Sequence, residues 1–154
     1  MSNVLKNDRK ESELRVLEQS EMLVKETFSI YNTENKLPKK QRPLIGARSI
    51  NNILDSYENL RYANSLFPDT IVDIKARLNA GREAVKSASK FASDVNVLPE
   101  ACRFDRQEKW FLTFQNHVIE YNNTIKKWQK TDTTRLNSKY QQIVDNKANK
   151  NTPS

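Results

Sequence analysis

Residues 99–130, PEACRFDRQEKWFLTFQNHVIEYNNTIKKWQK, decide the fold class. Within them Phe104, Phe111, Phe114, Val118, Tyr121, Ile125 and Trp128 recur at intervals of three, four and seven. Residues so spaced share one face of an α-helix, whereas a half-buried strand would alternate every second residue. The pattern persists for about seven turns at 3.6 residues each and predicts a helix over 99–130.

Outward from this stretch, prolines punctuate the chain. Pro38, Pro68 and Pro99 each disfavour helix at the residue before them and so mark three breaks. The first helix is expected over residues 8–32, with Asp8 and Glu11 as a variant capping box and Leu14, Leu17, Val24, Phe28 and Tyr31 on one face. The second is expected to start near Gln41 or Arg42, because Pro43 fits only a first turn, and to end near residue 66. Its face is Leu44, Ala47, Ile50, Ile53, Leu54, Tyr57 and Leu60, and Gly46 points to a close helix contact. The third runs from Pro68 and Asp69 to about residue 94, with Ile71, Ile74, Leu78, Val85, Ala88, Ala92 and Val95 as its stripe. Ala84, Ala88 and Ala92 leave room for a neighbouring helix.

Short connections force antiparallel neighbours. The expected architecture is therefore all-α: an antiparallel up-down-up-down four-helix bundle over residues 8–130. Residues 131–154 are expected to form a basic tail. In it Leu136, Tyr140, Ile143 and Val144 outline a short helix, and 146–154 carry no large apolar group and read as disordered. The two glycines, Gly46 and Gly81, are too few for a turn-rich sheet protein or a glycine-rich phosphate loop.

The residues that carry chemistry are sparse. His117 is the only histidine and Cys102 the only cysteine, and the two stand fifteen residues apart on one expected helix, about 22 Å at 1.5 Å per residue. Asp69 and Asp73 have helical ligand spacing but lack the Glu-x-x-His partners of a di-metal bundle. No catalytic residue, metal site or cofactor is expected. Met1 to Lys10 contain no apolar run like that of a signal peptide, and no stretch approaches the ~20 apolar residues of a membrane span. A cytoplasmic protein without membrane contact is expected.

The net charge is +7, from 26 Lys+Arg against 19 Asp+Glu. The cations are clustered. Lys36, Lys39, Lys40, Arg42 and Arg48 fall within thirteen residues that hold no acid. Lys126, Lys127, Lys130, Arg135 and Lys139 form a second group, and Arg77, Arg82, Lys86 and Lys90 follow the third helix. Such groups bind phosphates without choosing sequence. Lys36, Lys39, Lys40, Arg42, Arg48, Arg77, Arg82, Lys126, Lys127 and Lys130 are thus candidate contacts for RNA, with DNA as a second candidate. Most aromatic residues lie on the apolar stripes. Trp110 lies just off them and, with the apolar Ile119, is a candidate contact between subunits. Two functions stay open: a nucleic-acid-binding protein, and a helical module that binds only protein.

The segment carrying Leu37, Pro38, Lys39, Arg42, Ile45, Gly46, Arg48 and Ile50 resembles the first-loop motif of a four-helix-bundle family. That family includes the accessory variability proteins of diversity-generating retroelements and the proteins encoded in ribosomal RNA intervening sequences. Leu78, Ala80, Arg82 and Glu83 are similar to its third-helix region, and Trp128 with Lys130 to its closing tryptophan, so the likeness covers residues 12–130. The resemblance implies a homo-oligomer, a ring of five in the retroelement branch. It also implies a basic surface that engages RNA and a reverse transcriptase during mutagenic copying of a template RNA into DNA.

Overall fold

The computed structural model describes the backbone of residues 2–152 and the side chains of 11–152. The described chain is all-helical. Helix α1 spans Ser2–Tyr31, a π-helical turn Arg42–Gly46 leads into α2 at Ala47–Ser65, α3 spans Ile71–Asn96, α4 is a single turn at Leu98–Cys102, and α5 spans Lys109–Lys150.

Side-chain pairs fix how the four long helices run. Between α2 and α3, Asn52 donates to Asp94, Ser56 to the Ala84 carbonyl, and Arg77 to the Ala63 carbonyl, so numbers rise on one helix as they fall on the other. Between α3 and α5 the partners are Phe91 with Phe114, Ala88 with Asn122, and Arg77 with Asp132. Between α1 and α5, Glu26 meets His117, while Glu13 joins Arg77 and Asp132 at the far end. Each of these neighbouring pairs is antiparallel.

The core is built on α5 as the spacing requires. Phe111, Phe114, Val118, Tyr121, Ile125 and Trp128 are all buried, and Phe91 of α3 meets Phe114 edge to face with centroids 6.2 Å apart. Small residues let α3 approach: Ala84 and Ala88 are fully buried, and a Cβ on Gly81 would stand 3.5 Å from Cζ3 of Trp128.

Two polar layers cross this core and touch all four long helices. In the central one, Ser56 gives its proton to the Ala84 carbonyl, so the Tyr121 hydroxyl, 2.8 Å away, must donate to Ser56. Ser20 of α1 completes it beside Tyr121. In the second, the Arg77 guanidinium donates to Asp132 at 2.9 and 2.8 Å, to the Ala63 and Leu66 carbonyls at 3.0 and 3.3 Å, and to Glu13 at 3.1 Å. Burial alone would lower the Arg77 pKa, and the hydrogen bonds and charges of Asp132 and Glu13 more than reverse that, leaving it raised.

Several expectations are corrected. On α1 the buried face is Val16, Ser20, Leu23, Thr27, Ile30 and Tyr31, while Leu14 and Phe28 are exposed. Two hydroxyls masked that face, and each is satisfied within its own helix: Ser20 donates to the Leu17 carbonyl at 2.7 Å and Thr27 to that of Leu23 at 2.6 Å. The helical backbone already runs through Asp8, so that residue opens no helix, and its side chain lies outside the described residues. Helix α3 is capped by Thr70, whose hydroxyl accepts from the Asp73 amide, and begins at Ile71, three residues later than the proline start predicts. The expected fourth helix is interrupted at Arg103, which turns left-handed with φ 57°, and α5 then continues to Lys150 with Leu136 fully buried. Residues 131–150 are therefore an extension of that helix, longer than the short helix expected around Leu136 to Val144, and residues 146–150, expected to be disordered, belong to it. Cys102 and His117 consequently stand on different helices.

Candidate nucleic-acid interface

The acid-free run that attracted attention in the sequence folds as a braced turn between α1 and α2. The Leu37 amide donates to the Thr33 carbonyl at 2.9 Å and that of Gln41 to the Pro38 carbonyl at 2.9 Å. The Leu37 side chain is 1% exposed and seats against Gly46, where an added Cβ would come within 3.2 Å of its Cδ2. The close neighbour of this glycine is thus a side chain of the turn, where a helix contact was expected. With Leu37 held inward and Pro38 fixing its own φ, Lys39 and Lys40 stand exposed at the tip. Neither has an ion-pair partner among the described residues.

The other cations of this run are engaged to different degrees. Arg42 is half-buried and donates Nε to the Leu37 carbonyl at 3.2 Å, which uses one edge of its guanidinium to hold the turn. Arg48 meets the buried Asp94 at 3.2 Å yet keeps most of its side chain exposed. The Lys36 ammonium stands 5.5 Å from the centroid of the Trp110 ring, a cation–π contact. Sequence spacing could not have found this pair, because it joins the turn to the first residues of α5.

Arg77 is corrected. It is 4% exposed and bound within the second polar layer, so it offers no charge at the surface. The signal was present in the sequence: Arg77 lies three residues from the buried Ile74 and Ala80 and seven from Ala84, in core register. Lys126, Lys127, Lys130 and Arg82 are exposed and lack ion-pair partners among the described residues. Gly81 against Trp128 puts Arg82 level with this group. Lys126 is sixteen residues from Trp110 along α5, about 24 Å at 1.5 Å per residue, so the chain presents two separate basic groups.

Of the two groups with nucleophile or base chemistry, His117 is partnered and Cys102 is free and partly buried. His117 Nδ1 lies 2.8 Å from Glu26 Oε2. Cys102 ends α4, where burial pushes its thiol up. Among the described residues no three His, Cys, Asp or Glu side chains converge as metal ligands, and no helix is long and apolar enough to cross a membrane.

The seam between α1 and α5 is the open side of the molecule. Three clefts lie along it: about 890 Å³ beside Ser12 and Arg135, about 530 Å³ beside Met22 and His117, and about 650 Å³ beside Lys36 and Trp110. Trp110, expected between subunits, is half-buried here, with Phe104 against it at 4.9 Å, while Ile119 is 50% exposed. Comparison with protein-family models, with curated proteins and with solved structures gives no match to this chain.

Proposed function

We propose that this chain is a non-catalytic nucleic-acid-binding protein whose α1–α2 turn grips phosphates. The observation that carries this reading is the pair Lys39 and Lys40, exposed and without ion partners among the described residues, on a turn braced by the buried Leu37 and two backbone hydrogen bonds. A rigid turn loses little entropy when it binds, and a phosphate attracts cations that no carboxylate neutralises. Lys36, Arg42 and Arg48 support the turn at short range, and Arg82, Lys126, Lys127 and Lys130 form a second contact further along α5.

The sharper form of this reading follows from the resemblance of residues 36–50. In it the chain is an antiparallel up-down-up-down four-helix bundle, assembled in several copies, that serves a reverse transcriptase in a diversity-generating retroelement and holds its template RNA or the cDNA copy. A second reading, an oligomeric helical module that binds only protein, draws on Leu112 and Ile119. They are 37% and 50% exposed and seven residues apart, hence on one side of α5.

Charge reversal separates the two. Lys39→Glu with Lys40→Glu should abolish binding of a labelled RNA in fluorescence anisotropy while leaving the helical circular dichroism unchanged. Unchanged RNA affinity in the doubly reversed variant would refute the proposed role of the turn. Light scattering tests the assembly, and a monomer at micromolar concentration would exclude the ring.

A further inference from the structure

The cleft at Trp110 differs in character from the turn beside it. Phe104 and Phe111 hold the indole from within, at centroid distances of 4.9 and 5.8 Å. Lys36 stands over the ring. Around the mouth, Lys36 and Lys109 are balanced by Glu26 and Glu108, and Ser29 and Thr113 add hydroxyls. A phosphate entering this cleft would meet two carboxylates. A nucleobase is neutral and planar, and its edge carries donors and acceptors that suit both signs of charge and both hydroxyls. An indole held from within and half-buried offers the flat apolar surface on which such a ring stacks.

Position along the chain strengthens the match. Lys39 and Lys40 follow Lys36, a residue of the cleft, by three and four residues, which bounds their separation from it at roughly 11 and 14 Å of chain. Resting on the nucleic-acid reading above, we propose that the cleft takes one unpaired base of a single-stranded nucleic acid. The base stacks on Trp110 in the place where Lys36 now stands, and the flanking phosphates lie on Lys39 and Lys40. Displaced, Lys36 becomes a further phosphate contact. Duplex is excluded from the cleft because its bases are already stacked on both faces. The ligand class is therefore single-stranded RNA or DNA, or an unpaired loop, bound with little preference for sequence.

The test compares a labelled single strand with a duplex of the same length, using the full chain. The wild-type protein should bind the single strand more tightly. Trp110→Leu should weaken single-strand binding roughly tenfold and leave duplex binding unchanged, and Trp110→Phe, which keeps a ring, should recover part of the loss. A strand carrying 2-aminopurine needs no variant, because its emission should fall as the base stacks on the indole. Equal affinity for the two nucleic acids, unaltered by Trp110→Leu and without quenching, would overturn the base cleft and leave phosphate binding by the turn standing. Absence of binding to either would overturn both.

Discussion

Replacing Asp132 by alanine should destabilise the protein by about 3 kcal/mol, although the residue lies where the sequence reads as the beginning of a tail. The magnitude follows from the second polar layer. Arg77 is 4% exposed, and Asp132 takes two of its N–H groups, at 2.9 and 2.8 Å. Without Asp132 the guanidinium keeps Glu13 and the carbonyls of Ala63 and Leu66, a partial set of acceptors for a buried cation. Breaking a buried pair from one side costs ~3–5 kcal/mol, and the half-exposed Glu13 places this case at the lower end. Arg77→Met should cost a similar amount, since Asp132 would then retain only Arg135, at 2.8 Å. The double variant Arg77→Met with Asp132→Leu removes both charges, so its loss should fall short of the sum of the single losses by at least ~2 kcal/mol. Urea unfolding followed by circular dichroism measures all three. With a denaturant slope of ~2 kcal/mol/M, Asp132→Ala should lower the midpoint by about 1.5 M. A shift below ~0.5 M, or single losses that simply add in the double variant, would refute the claim that this layer ties the four helices together.

Further expectations follow from the core. Gly81→Ala should stabilise the protein by roughly 0.5–1 kcal/mol, because the residue lies inside α3 and the new Cβ would meet Trp128 at an ordinary 3.5 Å; a lowered melting temperature would show that the α3–α5 contact is tighter than described. Burial pushes the hydroxyls of Tyr31 and Tyr121 above the usual tyrosine value of 10.0. The folded state thus favours their neutral forms. That contribution is fully present below pH 10 and declines as pH rises past it, so absorbance at the tyrosinate band should show these two ionising only as the helices melt. Their ionisation while the helical signal stays intact would contradict the described burial.

The parts of this fold that could be read from the sequence are those where packing is apolar. The core face of α5 from Phe111 to Trp128 is as the spacing predicts, and the alanines of α3 do admit a neighbour. The hidden parts are those where polar groups sit in core register. Ser20 and Thr27 interrupt the true face of α1, so the eye moves to Leu14 and Phe28 on its side. Asp132 interrupts α5, and only its partner Arg77, fifty-five residues earlier, explains why the helix continues to a buried Leu136. The break before α5 has no glycine or proline at its pivot. Arg103 adopts the left-handed conformation, and Asp105 closes the next turn by accepting from the Gln107 amide at 2.9 Å. Of the candidate interface, the exposure of Lys39 and Lys40 was legible because they stand in a stretch without acids. The partners of Arg48 and Arg77 were not, since Asp94 and Asp132 reach them only through tertiary structure, although the core register of Arg77 itself could be read.

The most direct test of phosphate binding is a salt titration of the wild-type protein with a short single-stranded RNA, read by anisotropy between about 50 and 200 mM monovalent salt. Three phosphates neutralised by the turn, each contributing ~0.7 to the slope, predict that log affinity falls against log salt with a slope of about −2 or steeper. No measurable binding at the lowest salt, or an affinity that does not change with salt, would contradict the account.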